Sequence, residues 1–157
     1  MTESRTNAWD TLTPGKALLV TIVVPSLYLV ALVVAWWSPK NFGFGIHWLA
    51  GTGLGIGLFG LSLWVVSMIQ LGRSLAVLPG TEKLITAGIY KYLRHPIYVG
   101  IDLTLAGLFL ALGSTYGFLY LVLVVLPLNI LRSRLEEKAL LQKFGEPYRD
   151  YLSRTWF

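Results

Sequence analysis

HWLAGTGLGIGLFGLSLWVVSMIQL, His47 to Leu71, contains no Asp, Glu, Lys or Arg and lies inside a charge-free run from Asn41 to Gly72. A helix rises about 1.5 Å per residue, so this stretch can cross a hydrocarbon core about 30 Å thick. Gly51/Gly55 and Gly53/Gly57 form overlapping G-x-x-x-G pairs, a spacing that lets a second helix approach closely. The partner is either another helix of the same bundle or a second copy of the chain, a homodimer through the Gly51–Gly60 face. Gly55 to Gly60 also spells G-x-G-x-x-G, but a match inside an apolar span with no βαβ unit around it is no dinucleotide fingerprint.

Similar runs lie on either side. Lys16 and Lys40 bracket a charge-free stretch whose residues Ala17 to Trp37 predict a first span, kinked at Pro25, with Trp36 and Trp37 at an interface. Ile97 to Leu112 and Tyr116 to Leu131 predict a hairpin of two short spans turning at Gly113-Ser114-Thr115, with Pro127 and Asn129 marking a kink; either the hairpin thins the bilayer locally or its helices extend past the apolar run at their cytoplasmic ends. Arg132 to Phe144 reads as an amphipathic helix stopped by Gly145 and Pro147, and Tyr148 to Phe157 as a tail folding back on the membrane surface. Met1 to Gly15 reads as a polar arm, and the run after it lacks a small-residue cleavage pattern. The expected fold is an all-α integral membrane protein, one domain over 1–157. Its four transmembrane helices cover about 17–37, 47–71, 97–112 and 116–131, followed by a cytoplasmic C-terminal amphipathic helix.

Composition agrees. With 55% hydrophobic and only 13% charged residues among 157, the chain lacks the polar surface a soluble domain needs. Cysteine is absent, which excludes disulfides, thiol nucleophiles and thiolate metal sites. The two histidines, His47 and His95, are far apart in sequence, so no metal site is expected. The basic residues sit beside spans, which argues against a nucleic-acid partner. With four spans, twelve of the thirteen lysines and arginines fall on one side and Lys40 alone on the other. The positive-inside rule then makes the protein multi-pass with both termini cytoplasmic.

Two polar stretches share that side. The first is Gly88-Ile-Tyr90-Lys-Tyr92-Leu-Arg94-His95-Pro96-Ile-Tyr98-Val-Gly100. Pro96 suits the first position of a helix, and a helix N-terminus beside Arg94 and His95 suits an anion. Tyr98 and Asp102 follow His95 on one helical face. The plainer reading is a basic turn at the membrane surface with tyrosines as anchors. The second stretch supplies Arg132 and Glu136 at i, i+4, with Asn129 at i−3 and Glu137 adjacent, then Phe144-Gly145, Tyr148 and Tyr151. Such an ion pair is ordinarily a surface salt bridge worth under about 1 kcal/mol.

Arg-His-Pro-x-Tyr-x-Gly, an apolar hairpin, Arg-x-x-x-Glu-Glu and Phe-Gly-x-x-Tyr-x-x-Tyr in that order closely resemble the isoprenylcysteine carboxyl methyltransferase family. Membrane phospholipid N-methyltransferases are similar in the same region. The resemblance runs from about Leu71 to the C-terminus and implies an S-adenosylmethionine-dependent methyltransferase (EC 2.1.1 class) with a cofactor-binding region over 88–151. It implies a lipophilic acceptor from the bilayer, isoprenylcysteine carboxylate-like first, with a phospholipid or other lipid N- or O-acceptor as the alternative. It also implies catalytic roles for Arg132, orienting an anionic acceptor, and Glu136, positioning acceptor or cofactor.

Such a cofactor carries a carboxylate, an ammonium, a sulfonium, a ribose and an adenine. Arg94, His95 and the helix N-terminus can take the carboxylate, and Glu136 or Glu137 the ammonium or ribose. Tyr90, Tyr98, Tyr148 or Tyr151 can pack on adenine or face the sulfonium. Gly100 closes the first motif and counts with these cofactor-binding residues. Asp102, inside a span, either bonds a neighbouring helix or lines the cofactor or substrate tunnel. Two other classes compete: a membrane NADPH-dependent reductase, and a non-enzymatic four-span transporter protomer with Asp102 as its coupling carboxylate.

Overall fold

The computed structural model describes residues 23–40, 47–72 and 84–156, which are helical nearly throughout and contain no strand beyond one isolated bridge between Leu93 and Trp156. Five helices are described: α1 (Val24–Trp37), α2 (His47–Leu71), α3 (Pro96–Leu112), α4 (Thr115–Phe144) and α5 (Glu146–Arg154). A short 3₁₀ turn, Gly88–Lys91, leads toward α3. The polar arm, the start of the first span and the Pro79-Gly80 turn lie outside the described residues, as do Arg73 and Lys83. Pro25 stands in the first described turn of α1, and the turn before it, where its expected kink would begin, lies outside the described residues.

α2 and α3 are the most intimate pair, and glycine is the cause. A Cβ on Gly53 would lie 2.5 Å from the Ala111 nitrogen, one on Gly60 2.5 Å from that of Thr104, and one on Gly100 2.7 Å from that of Trp64. The two backbones therefore touch along an antiparallel seam, as small-residue spacing permits. Gly53, Gly57 and Gly60 are thus occupied by α3, whereas nothing lies within 4 Å of a Cβ on Gly51 or Gly55.

The hairpin forms as its residues require. Gly113 adopts φ 64° to end α3, Ser114 N–H donates to the Phe109 carbonyl at 2.9 Å, and Ser114 Oγ accepts from Gly117 N–H at 3.0 Å as the cap of α4. Ser38 ties α1 to the same corner, its Oγ accepting from Tyr116 N–H at 3.0 Å.

α4 extends well past its apolar run. The returning span and the stretch Arg132–Phe144 form one continuous helix of 30 residues. Pro127 has no N–H and would clash with the carbonyl one turn back. A π-helical turn at Leu121–Val125 absorbs the mismatch, with Leu126 N–H reaching the Leu121 carbonyl. The helix ends at Gly145 (φ 61°), from which α5 turns back.

Ala31 and Ala35 of α1, Leu105 and Phe109 of α3, and Leu121 and Val125 of α4 form the core. The exterior is apolar too: Leu29, Val33, Leu54, Phe59, Ile69 and Leu123 all point outward. α2 and α4 are long and apolar enough to cross a membrane, α1 and α3 being shorter, and only 11% of the most apolar window of α2 is buried. A core helix of a soluble protein would be mostly covered, so this surface suits lipid.

Candidate functional site

The site lies at the end of the bundle where α3 begins and the polar half of α4 passes it. His95 holds the N-cap position of α3, its carbonyl accepting from the N–H groups of Tyr98 (3.1 Å) and Val99 (3.2 Å). One turn on, the Tyr98 hydroxyl donates to Glu136 Oε1 on α4. Arg94 Nη1 donates to Glu137 Oε1 at 2.7 Å, and His95 Nε2 lies 3.3 Å from the same oxygen. His95 Nδ1 lies 3.7 Å from Glu136 Oε2, and Arg132 Nη2 lies 4.0 Å from Glu136 Oε1. The Arg132 guanidinium also sits over the Tyr98 ring at 5.3 Å, and the His95 and Tyr98 rings stack at 5.7 Å. The two stretches singled out in the sequence therefore meet in one cluster of six side chains: Arg94, His95, Tyr98, Arg132, Glu136 and Glu137.

Burial sets its electrostatics. Removal from water holds the His95 imidazole below its ordinary pKa and the neighbouring Arg94 pushes the same way, while Glu137 opposes both. Burial raises the Tyr148 phenol and pushes Tyr151 up to about 12, so both stay neutral near pH 7. Arg94 Nε is a buried donor without a hydrogen-bond partner among the described residues, although Nη1 is engaged.

The other tyrosines act as fasteners. Tyr151 on α5 donates its hydroxyl to the Tyr90 carbonyl at 2.7 Å, and the Tyr90 hydroxyl reaches the Ser67 carbonyl of α2 at 3.3 Å. Tyr148 is fully buried, its ring 5.8 Å from that of Tyr151. Gly100 stands apart from the cluster, against the α2 backbone.

Three contributors had no signal in the motifs. Trp156 pairs with the segment before α3: Arg94 N–H donates to its carbonyl at 3.1 Å and its own N–H donates to the Tyr92 carbonyl at 2.9 Å. Gln70 Oε1 accepts from Ile89 N–H at 2.8 Å. Tyr28 of α1 donates to Asn129 Oδ1 at 2.5 Å, and Asn129 Nδ2 donates to Asp102 Oδ1 at 2.7 Å. Asp102 is thus hydrogen-bonded to a polar group of a neighbouring helix, one of its two expected states. Among the described residues no group of His, Asp or Glu could hold a metal ion.

An apolar-surfaced helical bundle with a charged and aromatic cluster at one end belongs to the class of all-helical, membrane-suited proteins that build a polar site between two helices. The family is more specific: the model of the phospholipid methyltransferase family matches residues 49–147, well over half of the chain, and the protein belongs to that family. It is 32% identical over 120 residues to the protein-S-isoprenylcysteine O-methyltransferase of Schizosaccharomyces pombe, covering 73% of this chain and 50% of that one. Against the human protein of the same name it is 32% identical over 115 residues, covering 70% and 40%. A methanethiol S-methyltransferase from a Pseudomonas species is 26% identical over 163 residues, covering 91% of this chain and 60% of the relative. The chain thus spans about half the length of the curated relatives it matches.

Proposed function

We propose that this chain is an integral-membrane, S-adenosylmethionine-dependent methyltransferase acting on a lipophilic acceptor, isoprenylcysteine carboxylate-like first. The observation that carries the reading is the convergence of Arg94, His95 and Tyr98 with Arg132, Glu136 and Glu137 at one end of an apolar bundle. The cofactor fits the residues present. Its carboxylate needs a cation with a spare donor, and Arg94 has a buried Nε without a partner. Its ammonium needs an anion, and Glu136 and Glu137 stand beside that arginine. When bound, S-adenosylmethionine supplies an electrophilic methyl group on a sulfonium.

The chain's own residues would do the rest. Arg94 and His95 hold the carboxylate end of the cofactor, and Glu137 or Glu136 the ammonium. Arg132, fixed over Tyr98, orients an anionic acceptor. The packed core of Leu105, Val125 and Ala31, deeper in the bundle, keeps water from reaching the site from below. A carboxylate acceptor has no proton to lose, so alignment is the main contribution. The relative named methanethiol S-methyltransferase, matched over 91% of this chain, favours a second acceptor class, a thiol. A thiol or amine must shed a proton, and the Glu136 carboxylate would accept it.

The membrane arrangement belongs to the same proposal: four spans, multi-pass, with both termini and the polar half of α4 on the cytoplasmic side. A homodimer through the Gly51–Gly60 face would have to use Gly51 and Gly55, the glycines α3 leaves open. The test is parallel calorimetric titration of the detergent-solubilised protein with S-adenosylhomocysteine and NADPH. Heat with the first alone is expected. Heat with NADPH alone would move the protein to the reductases, and heat with neither to the transporter reading.

A further inference from the structure

Below the charged cluster lies a second polar layer that methyl transfer does not obviously require. Asp102 is one turn deeper than Tyr98 on α3, and Asn129 nearly one turn deeper than Arg132 on α4. Tyr28 reaches them from α1. Asn129 is 1% exposed and engages both ends of its amide, donating to Asp102 Oδ1 at 2.7 Å and accepting from the Tyr28 hydroxyl at 2.5 Å. The Asp102 bond fixes which way the amide faces, since a flipped amide would set the Asn129 oxygen against the carboxylate, acceptor to acceptor. Arg132, Asp102 and Glu136 all bear electrostatically on the Tyr28 hydroxyl, so the layer is coupled to the cluster above it. Deeper still come Leu105 and Val125, then Phe109 and Leu121, which are apolar and could slide. Buried polar bonds, unlike apolar contacts, tolerate one register only, because a slip strands each group without a partner.

We propose that Asn129, held between Asp102 and Tyr28, is a positioning residue that sets the register of α4 against α3 and so aims Arg132 and Glu136 at the point of transfer. Asp102 then serves as a hydrogen-bond acceptor, and its charge is incidental. Asparagine at 102 keeps an oxygen for Asn129, whereas leucine does not. The proposal deepens the methyltransferase reading, so one arm of its test is independent of activity.

That arm uses the histidines. The chain has only His47 and His95, and His95 sits between Glu136 and Glu137. Its imidazole nitrogen resonances, assigned with a His47→Gln variant of the full chain in detergent, report the alignment of α4 whether or not a methyl group is transferred. Tyr28→Phe, Asn129→Leu and Asp102→Leu should each move the His95 signals, and Asp102→Asn should leave them as in the wild type. In the activity arm, with N-acetyl-S-farnesylcysteine as acceptor, the first three should lower kcat about ten- to hundredfold, the scale of a misplacement near 1 Å. Affinity for S-adenosylhomocysteine should fall less than kcat, because Arg94 and His95, assigned to its carboxylate, sit on the α3 side of the joint and only Glu136 and Glu137 move with α4. Tyr28→Phe guards against misfolding, since it keeps the ring and loses only the hydroxyl. Unmoved His95 signals in folded Tyr28→Phe and Asp102→Leu proteins would overturn the proposal. So would Asp102→Asn proving as damaging as Asp102→Leu, which would assign the carboxylate a charge-dependent task. Wild-type protein that neither binds S-adenosylhomocysteine nor methylates the acceptor would overturn the methyltransferase reading alone, and the histidine signals would still decide the register.

Discussion

Arg94 and Glu137 meet at 2.7 Å although 43 positions separate them, tying the segment before α3 to the polar end of α4. The pair leaves Arg94 Nε without a partner. A carboxylate arriving at this arginine would find one buried donor ready and would compete with Glu137 for the others. Arg94→Ala should therefore weaken S-adenosylhomocysteine binding by about 1.5–3 kcal/mol, the scale of a charge-assisted hydrogen bond. Arg94→Lys should recover only part, since an ammonium cannot reproduce the fork. Unchanged affinity by calorimetry in both folded variants would remove the carboxylate from this arginine.

Tyr98 and Glu136 are the joint between the two motifs. Glu136→Gln removes the charge and nearly keeps the shape. If Glu136 acts on the reacting geometry, turnover should fall far more than cofactor affinity. Tyr98→Phe should lose less alone, and the double variant should lose less than the sum, because both changes break one interaction. Additive losses would mean the two side chains act separately, and normal turnover in Glu136→Gln would place Glu136 outside the site.

Glycine at the α2–α3 seam should be sharply position-dependent. A Cβ on Gly107 would lie 2.5 Å from the Gly53 carbonyl oxygen, a backbone atom that cannot step aside. Gly107→Ala should destabilise the protein by about 1–3 kcal/mol, as overpacking does. Gly51→Ala, with open space around it, should stay within about 0.5 kcal/mol of the wild type. Thermal unfolding in detergent compares the two. A Gly51→Ala loss as large as that at Gly107 would reveal a second partner on that face.

Much of this was legible in the sequence, for physical reasons. The limits of α2 follow from where charge disappears and returns, and the cluster follows from two motifs brought to one side by a hairpin. The continuity of α4 did not follow. The change from apolar to amphipathic composition after Leu131 looks like a boundary, but backbone hydrogen bonds continue through a change of side-chain polarity. Pro127 signals a local disturbance of the helix, and the π turn at Leu121–Val125 stands just before it. Tyr28 bonds a residue 101 positions away, and Trp156 pairs with Tyr92 and Arg94 through its backbone. Neither leaves a local pattern. The tail also buries Tyr148 and Tyr151 against the bundle, which their spacing alone does not announce.

Topology can be tested cleanly because the chain has no cysteine. Single cysteines at Lys40 and Tyr116 should react with a membrane-impermeant maleimide added to intact cells, and cysteines at Lys91 and Lys143 should not. Tyr116 is 53% exposed, a better probe of the hairpin turn than the buried Ser114. Labelling of Lys143→Cys from outside would reverse the orientation and remove cytoplasmic access to the site.

Acid should destabilise the protein through His95. Burial, reinforced by Arg94, holds its imidazole below the ordinary value, with Glu137 only partly opposing. An unfolded histidine titrates near about 6.5, so between that pH and the lower folded value the unfolded chain binds more protons. The contribution of neutral His95 to stability is therefore complete above about pH 6.5 and is lost as pH falls through 6.5 toward the folded value. Wild-type protein should lose more thermal stability between pH 7.5 and 5.5 than a His95→Gln variant, in which that titration is absent and an amide can still donate to Glu137. The comparison isolates His95 from the carboxylates, which titrate in both proteins. A wild type that gains stability relative to the variant on acidification would mean that the carboxylates outweigh burial and that His95 is the cationic member of the cluster.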